Sequence, residues 1–282
     1  MNNGAPAPVS VRGGDGHAIP VRHFGVRARR RPVVMLHGLQ SHSGWFLRSA
    51  RGLREAGLPV YAFDRCGSGL SDAPCCAGPR LEALLAETDA VVEHALHGRP
   101  YGSVHLLAHC FGAIPALLYA AHYRPARVAS LVLATPAFYT RVGVTLRDKA
   151  RIVGSLVTGR EVLASVTLEP TQFSDDERWV ELVRRDHRAR RQFPARFLYE
   201  VARARRRLPA AARELNAGVL AAFAADDPIC DNRRNRRLLE RVRAPKQLCE
   251  YAGARHVLDF SRQWEAFLGD ATRWFSRYGG DA

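Results

Sequence analysis

The stretch VHLLAHCFGAIPAL, residues 104–117, sets the tightest limit on what this chain of 282 residues can fold into. An apolar run of strand length passes without a linker into a helical pattern through A-H-C-F-G, which puts Cys110 at the tip of a sharp turn. Such a turn holds one side chain on strained backbone above a sheet, between small residues that here are Ala108 and Gly112.

The same strand-then-helix grammar repeats along the chain. VSVRGGDGHAIPVRHFGVR (9–27) reads as two short strands around a Gly-Asp-Gly turn. RPVVMLHG (31–38) is a continuous apolar strand, SGWFLRSARGLREAG a helix, LPVYAFD (58–64) a second strand and LEALLAETDAVVEHALHG a helix. ASLVLATP follows the stretch around Cys110, and after a gap come the strand GVLAAFAADDPI (218–229), the helix NRRNRRLLERV, the strand KQLCEYAG and a last helix from Gln263 to about Tyr278. Strands that are apolar throughout and alternate with helices predict an α/β fold, a mostly parallel twisted sheet with helices on both faces. Between about Phe138 and Asn216 apolar strands give way to arginine-rich helical segments, so residues 138–216 are expected to form an inserted helical cap on a core made of 1–137 and 217–282.

Composition narrows the function classes. The formal charge of +15, almost all from arginine with Lys149 and Lys246 the only lysines, favours an anionic partner or a solvated basic surface. Nucleic acid is disfavoured, because the basic segments carry no helix-turn-helix, zinc-finger or aromatic RNA-binding signature. No run of about 18 apolar residues and no signal-peptide pattern occur, so a soluble, cytoplasmic protein is expected. The six cysteines have no metal-ligand spacing, and Cys75 and Cys76 are adjacent, so reduced thiols are expected. Without a Gly-x-Gly-x-x-Gly after a strand, a phosphate loop or a metal cluster, no cofactor is implied.

Three residues in the right order point to acyl transfer. Cys110 stands at the elbow, Asp227 follows a strand in AADDPICD, and His256 follows the next in YAGARHVLDF. A thiol beside a helix start and an imidazolium has its pKa lowered and becomes a nucleophile. His256 would act as base and then acid, and Asp227 would fix its tautomer, with Asp226 as the alternative carboxylate. The backbone N–H groups of Leu39 and Phe111 are the expected oxyanion donors. Gln40 and Trp45 are candidate substrate contacts, whereas His37, His109, Asp64 and Arg65 read as residues that hold loops.

HGLQSHSGW (37–45), FDRCGSGLSD (63–72), AHCFGA (108–113), ADDPICD (225–231) and GARHVLDF (253–260) together resemble the α/β-hydrolase superfamily, nearest to its lysophospholipase and monoacylglycerol-lipase-like branch. The resemblance spans about residues 31–260 in the family's order and implies the α/β-hydrolase fold and a nucleophile-acid-histidine triad. Cys110 stands where the family pattern has serine.

A cysteine would form a thioester intermediate, and this tilts the expected chemistry toward thioester substrates or acyl transfer, alongside hydrolysis of activated esters. Acyl-coenzyme A and acyl carrier proteins are anionic, so Arg184, Arg185, Arg188, Arg190, Arg191, Arg203 and Arg205–Arg207 of the cap are candidates for steering them. A lyase or cyclase using His256 as base, and a binding protein without catalysis, are the other classes that the sequence leaves open.

Overall fold

The computed structural model describes residues 5–14, 16–26, 30–71, 80–143 and 145–279. Asp15, in the first turn, and Cys75 and Cys76 lie outside them.

The elements in chain order begin with β1 (Val9–Arg12) and β2 (Ala18–Phe24), an antiparallel hairpin. Then follow β3 (Val33–Leu36), α1 (Leu47–Glu55), β4 (Val60–Phe63), α2 (Leu81–Leu96), β5 (Val104–His109), α3 (Ala113–Leu118) and β6 (Val128–Ala134). The chain continues through α4 (Leu146–Thr158), β7 (Leu163–Ser165), α5 (Glu177–Arg185), β8 (Gln192–Pro194) and α6 (Ala195–Glu214). It closes with β9 (Gly218–Ala224), α7 (Asn232–Leu239), β10 (Lys246–Tyr251) and α8 (Trp264–Arg277).

Among the described residues, eight strands form one sheet in the order β1-β2-β4-β3-β5-β6-β9-β10, antiparallel where β2 joins its two neighbours and parallel from β4 to β10. Every residue of β3, β4, β5 and β9 is buried, as a strand covered by helices on both faces requires. The period of two divides the core: Val34, Leu36, Leu106 and Leu131 pack on one side, and Val33, Met35, Leu107 and Val132 on the other. Helices α2, α3 and α6 meet on the first side; α1 and α8 pack against each other on the second. This is the α/β-hydrolase architecture.

The segment between β6 and β9 departs from the all-helical expectation. Its arginine-rich run is not one helix, because Asp186 ends α5 in extended backbone (φ −74°, ψ 101°) and turns its carboxylate toward His42 and Trp45. Eight residues later Pro194 forces its predecessor out of helical backbone. In the resulting extended stretch β8 pairs with β7 in a short antiparallel ladder that buries Ala164 and Phe193. Among the described residues, no helix is long and apolar enough to cross a membrane.

Candidate active site

Cys110 has φ +53°, in the left-handed region that non-glycine residues avoid. The strain is enforced by close packing on both sides of the turn. A Cβ on Gly112 would meet the carbonyl oxygens of Leu36 and His37 at 2.7 and 2.8 Å, so only glycine lets α3 start this close to β3. A Cβ on Gly38 would lie 3.2 Å from the Cys110 Cβ. Ala108 fills the other small position and is fully buried within β5.

The loop after β3 is held from behind. The Arg65 backbone N–H lies 3.2 Å from His37 Nε2, and His37 Nδ1 lies 2.9 Å from the Gly38 carbonyl and 3.0 Å from the Arg65 guanidinium. The Arg65 guanidinium donates to the carbonyls of His37 and Leu39 at 3.2 and 2.6 Å. Burial, then the Arg65 charge, hold His37 well below its ordinary pKa, so it is neutral. His109 is stacked on Phe46 with ring centroids 3.8 Å apart, and burial lowers its pKa to about 3. The Asp64 carboxylate accepts from the backbone N–H groups of Ser43 and Leu70. His37, Asp64 and Arg65 hold loops through these hydrogen bonds, as their sequence positions suggested, whereas His109 is held by stacking and its Nε2 has no hydrogen-bond partner.

The loops after β9 and β10 bring the other two partners together. Asp227 Oδ2 lies 2.8 Å from His256 Nδ1, and Oδ1 accepts from the backbone N–H groups of Ile229 (2.8 Å) and Cys230 (2.9 Å). Asp226 is exposed, so Asp227 is the carboxylate that the fold gives to the histidine. The backbone N–H groups of His256 and Val257 donate to the carbonyls of Gln172 and Phe173, so the chain between β6 and β9 pins the histidine loop.

Electrostatics couple the three groups. Burial disfavours the Cys110 thiolate, but His256 and the backbone N–H groups of Leu39 and Phe111 outweigh it and lower the thiol's pKa. Burial likewise opposes the His256 imidazolium, and Asp227 and Cys110 outweigh that, raising its pKa well above the usual value. For Asp227, burial is overcome by His256 and by the Cys230 and Ile229 N–H groups, and its pKa falls. His256 Nε2 is buried without a hydrogen bond of ordinary geometry; catalytic hydrogen bonds in substrate-free sites are often long.

Cys230 escaped the sequence reading as a site residue. Its Sγ donates to the Thr135 carbonyl (3.4 Å) and lies 3.8 Å from His256 Nδ1, behind the imidazole. Burial, then Asp227, push its pKa up, so it is a neutral thiol. Cys230, Asp227 and His256 offer ligand atoms within 4.8 Å of one another. The 2.8 Å between Nδ1 and Oδ2 is a hydrogen-bond length.

Two cavities meet at Cys110. The larger, of about 480 Å³, runs from Leu39, Cys110 and Phe111 between α4 and α6, with Val166, Leu168 and Leu198 in its walls. The smaller, of about 30 Å³, lies on the His256 side and has room for water. Gln40 and Trp45 border the smaller one, but their polar atoms are committed elsewhere: the Gln40 amide donates to the Val166 carbonyl and the Trp45 indole N–H to Asp186. They tie the segment between β6 and β9 to the core.

Residues 27–262 match the family described as Serine aminopeptidase, S33. The chain belongs to that family. It is a hydrolase of the α/β-hydrolase type, with cysteine at the elbow. The monoacylglycerol lipase of Mycolicibacterium smegmatis is 26% identical over 246 residues, covering 86% of each chain. Among solved structures, the monoacylglycerol lipase of Paleococcus ferrophilus superposes with a TM-score of 0.79 at 24% identity, covering 93% of this chain and 99% of its own. A soluble variant of the Saccharomyces cerevisiae monoglyceride lipase, bound to a substrate analogue, gives 0.84 at 16% identity over 100% and 99%.

Proposed function

We propose that the chain cleaves small acyl esters and thioesters through an acyl-cysteine intermediate on Cys110. The observation that carries the reading is the convergence on one thiol of a charged His256–Asp227 pair and two backbone N–H groups. The lipase names of its relatives support an acyl substrate, and the apolar cavity of about 480 Å³ suits an acyl chain enclosed by a cap over 138–216.

In this mechanism the Cys110 thiolate attacks the acyl carbonyl carbon and forms the C–S bond. The carbonyl oxygen takes the negative charge and is met by the N–H groups of Leu39 and Phe111, donors fixed before the charge develops. Collapse breaks the bond to the leaving thiol or alcohol, which takes the His256 Nε2 proton. A water in the small cavity then gives a proton to Nε2 and attacks the thioester carbonyl, and loss of Cys110 releases the acid. Asp227 keeps Nε2 facing the reaction by holding the proton at Nδ1.

A thioester substrate matches the intermediate in bond energy, so thioesters are the preferred class, and coenzyme A or an acyl carrier protein suits the basic surface. The arginines divide, however: Arg184 pairs with Glu177 and Glu181, Arg203 with Glu200 and Arg207 with Glu82, while Arg190 and Arg191 donate to backbone carbonyls. A nucleophilic thiol also needs reducing surroundings, which fits a cytoplasmic location. The test is steady-state kinetics on matched thioester and oxygen-ester substrates. The proposal expects kcat/KM to favour the thioester, and Cys110→Ser to lose more on the thioester than on the ester. Equal turnover by Cys110→Ala would refute it.

A further inference from the structure

The larger cavity contains one feature that neutral acyl chains do not explain. Arg205, on α6, lines it, and its Nε is shut off from solvent without a hydrogen-bond partner. Two residues away on either side of the same helix, Arg203 and Arg207 point to Glu200 and Glu82. Among the described residues the Arg205 guanidinium makes no ion pair, and no acidic side chain lines the cavity. Lys149, the cavity's other cation, is exposed at its rim.

A guanidinium stays charged in proteins, and Arg205 is half-buried with its Nε shut off from solvent, so an anion in the cavity would supply the partner that this donor lacks. Burial depresses the Arg205 pKa, and the largest opposing influence is the Cys110 thiolate, which puts the two in one electrostatic neighbourhood. The planar fork of five N–H donors matches a carboxylate in two parallel bonds.

We propose that Arg205 receives a carboxylate borne by the acyl group, so that the substrate is an acyl thioester or ester whose chain ends in a second, free carboxylate. The inference rests on the acyl-transfer reading above and names its substrate class. The acyl group, not the leaving group, faces Arg205, because the large cavity opens from Cys110 and the oxyanion donors, whereas His256, which protonates the leaving group, lines the small one. Reaction leaves both charges intact: the C–S bond to Cys110 forms at the reacting carbonyl while the distal carboxylate stays bound to the guanidinium.

The test pairs S-phenyl thioesters of straight-chain dicarboxylic acids, glutaric to suberic, with the same compounds methylated at the distal carboxylate. Wild type should favour the free carboxylate in kcat/KM at one chain length, and Arg205→Gln should reduce that ratio by about tenfold or more, the worth of one hydrogen bond to a charged group. Arg205→Lys should restore part of the ratio. A wild-type ratio near one at every length, or one unaltered by Arg205→Gln, overturns the inference while leaving acyl transfer standing. Calorimetric titration of the free diacids into the Cys110→Ala protein needs no turnover. Binding that disappears in the Arg205→Gln background supports the carboxylate site even if no thioester is cleaved, and binding indifferent to Arg205 contradicts it.

Discussion

The sheet and the segment between β6 and β9 are built on opposite terms. Strands β3, β5 and β9 are buried at every position and hold Cys110 on strained backbone, while α4 buries only Ser155 and leaves Leu146 and Val157 exposed. Cys110, Asp227 and His256 follow strands of the sheet, while α4 and α6 supply much of the wall of the larger cavity. A nucleophile, base and oxyanion donors must be fixed to a fraction of an ångström, whereas a substrate cavity needs shape and a few polar anchors. Under the proposed function, the chemistry belongs to the sheet and the selectivity to the segment laid over it.

The sharpest way to break that division is at the elbow. Cys110→Ala is expected to lower kcat by a thousandfold or more, since members of a catalytic unit act together; measurable turnover near wild type would move the chemistry elsewhere. His256→Gln should cost roughly a hundred- to ten-thousandfold. It should also shift the pH profile of Cys110 alkylation by iodoacetamide. The imidazolium lowers the thiol's pKa, so its removal raises that pKa and moves the alkylation midpoint to higher pH. An unmoved midpoint would show that charge coupling is absent.

Smaller effects separate the two regions by stability. Gly112→Val drives a side chain against the Leu36 carbonyl and should destabilise by about 1–3 kcal/mol, read as a fall in Tm. Asp186→Ala leaves the His42 and Trp45 donors unpaired where the segment is tied to the sheet, and is expected to cost about 1–3 kcal/mol and to hasten proteolysis between α5 and β8. Gly154→Ala, in α4 with open space around it, should stabilise by at most about 1 kcal/mol. A large loss there would mean that α4 is packed as tightly as the sheet.

The sheet was legible in the sequence for the reason that makes it rigid. Strands buried on both faces are apolar throughout, and the elbow around Cys110 and Gly112 stands out in the sequence together with Asp227 and His256 after later strands. The overlying segment was harder to read. Its strands β7 and β8 have three residues each, too few for a period to show, and what broke the long helical run was the carboxylate of Asp186 engaging His42, far away in sequence. Cys230 is an ordinary small apolar residue until the fold sets it behind the imidazole. Arg205 is one of four arginines in RARRR, and only the three-dimensional arrangement shows that it, unlike Arg203 and Arg207, faces the cavity without a carboxylate.

The most direct test of the central claim is intact-protein mass spectrometry after brief exposure to an activated acyl thioester, with the adduct mapped by peptide. One acyl group on Cys110, absent from Cys110→Ala and discharged by water in the wild type, is the predicted result. An unmodified Cys110 in protein that still turns the thioester over would contradict it.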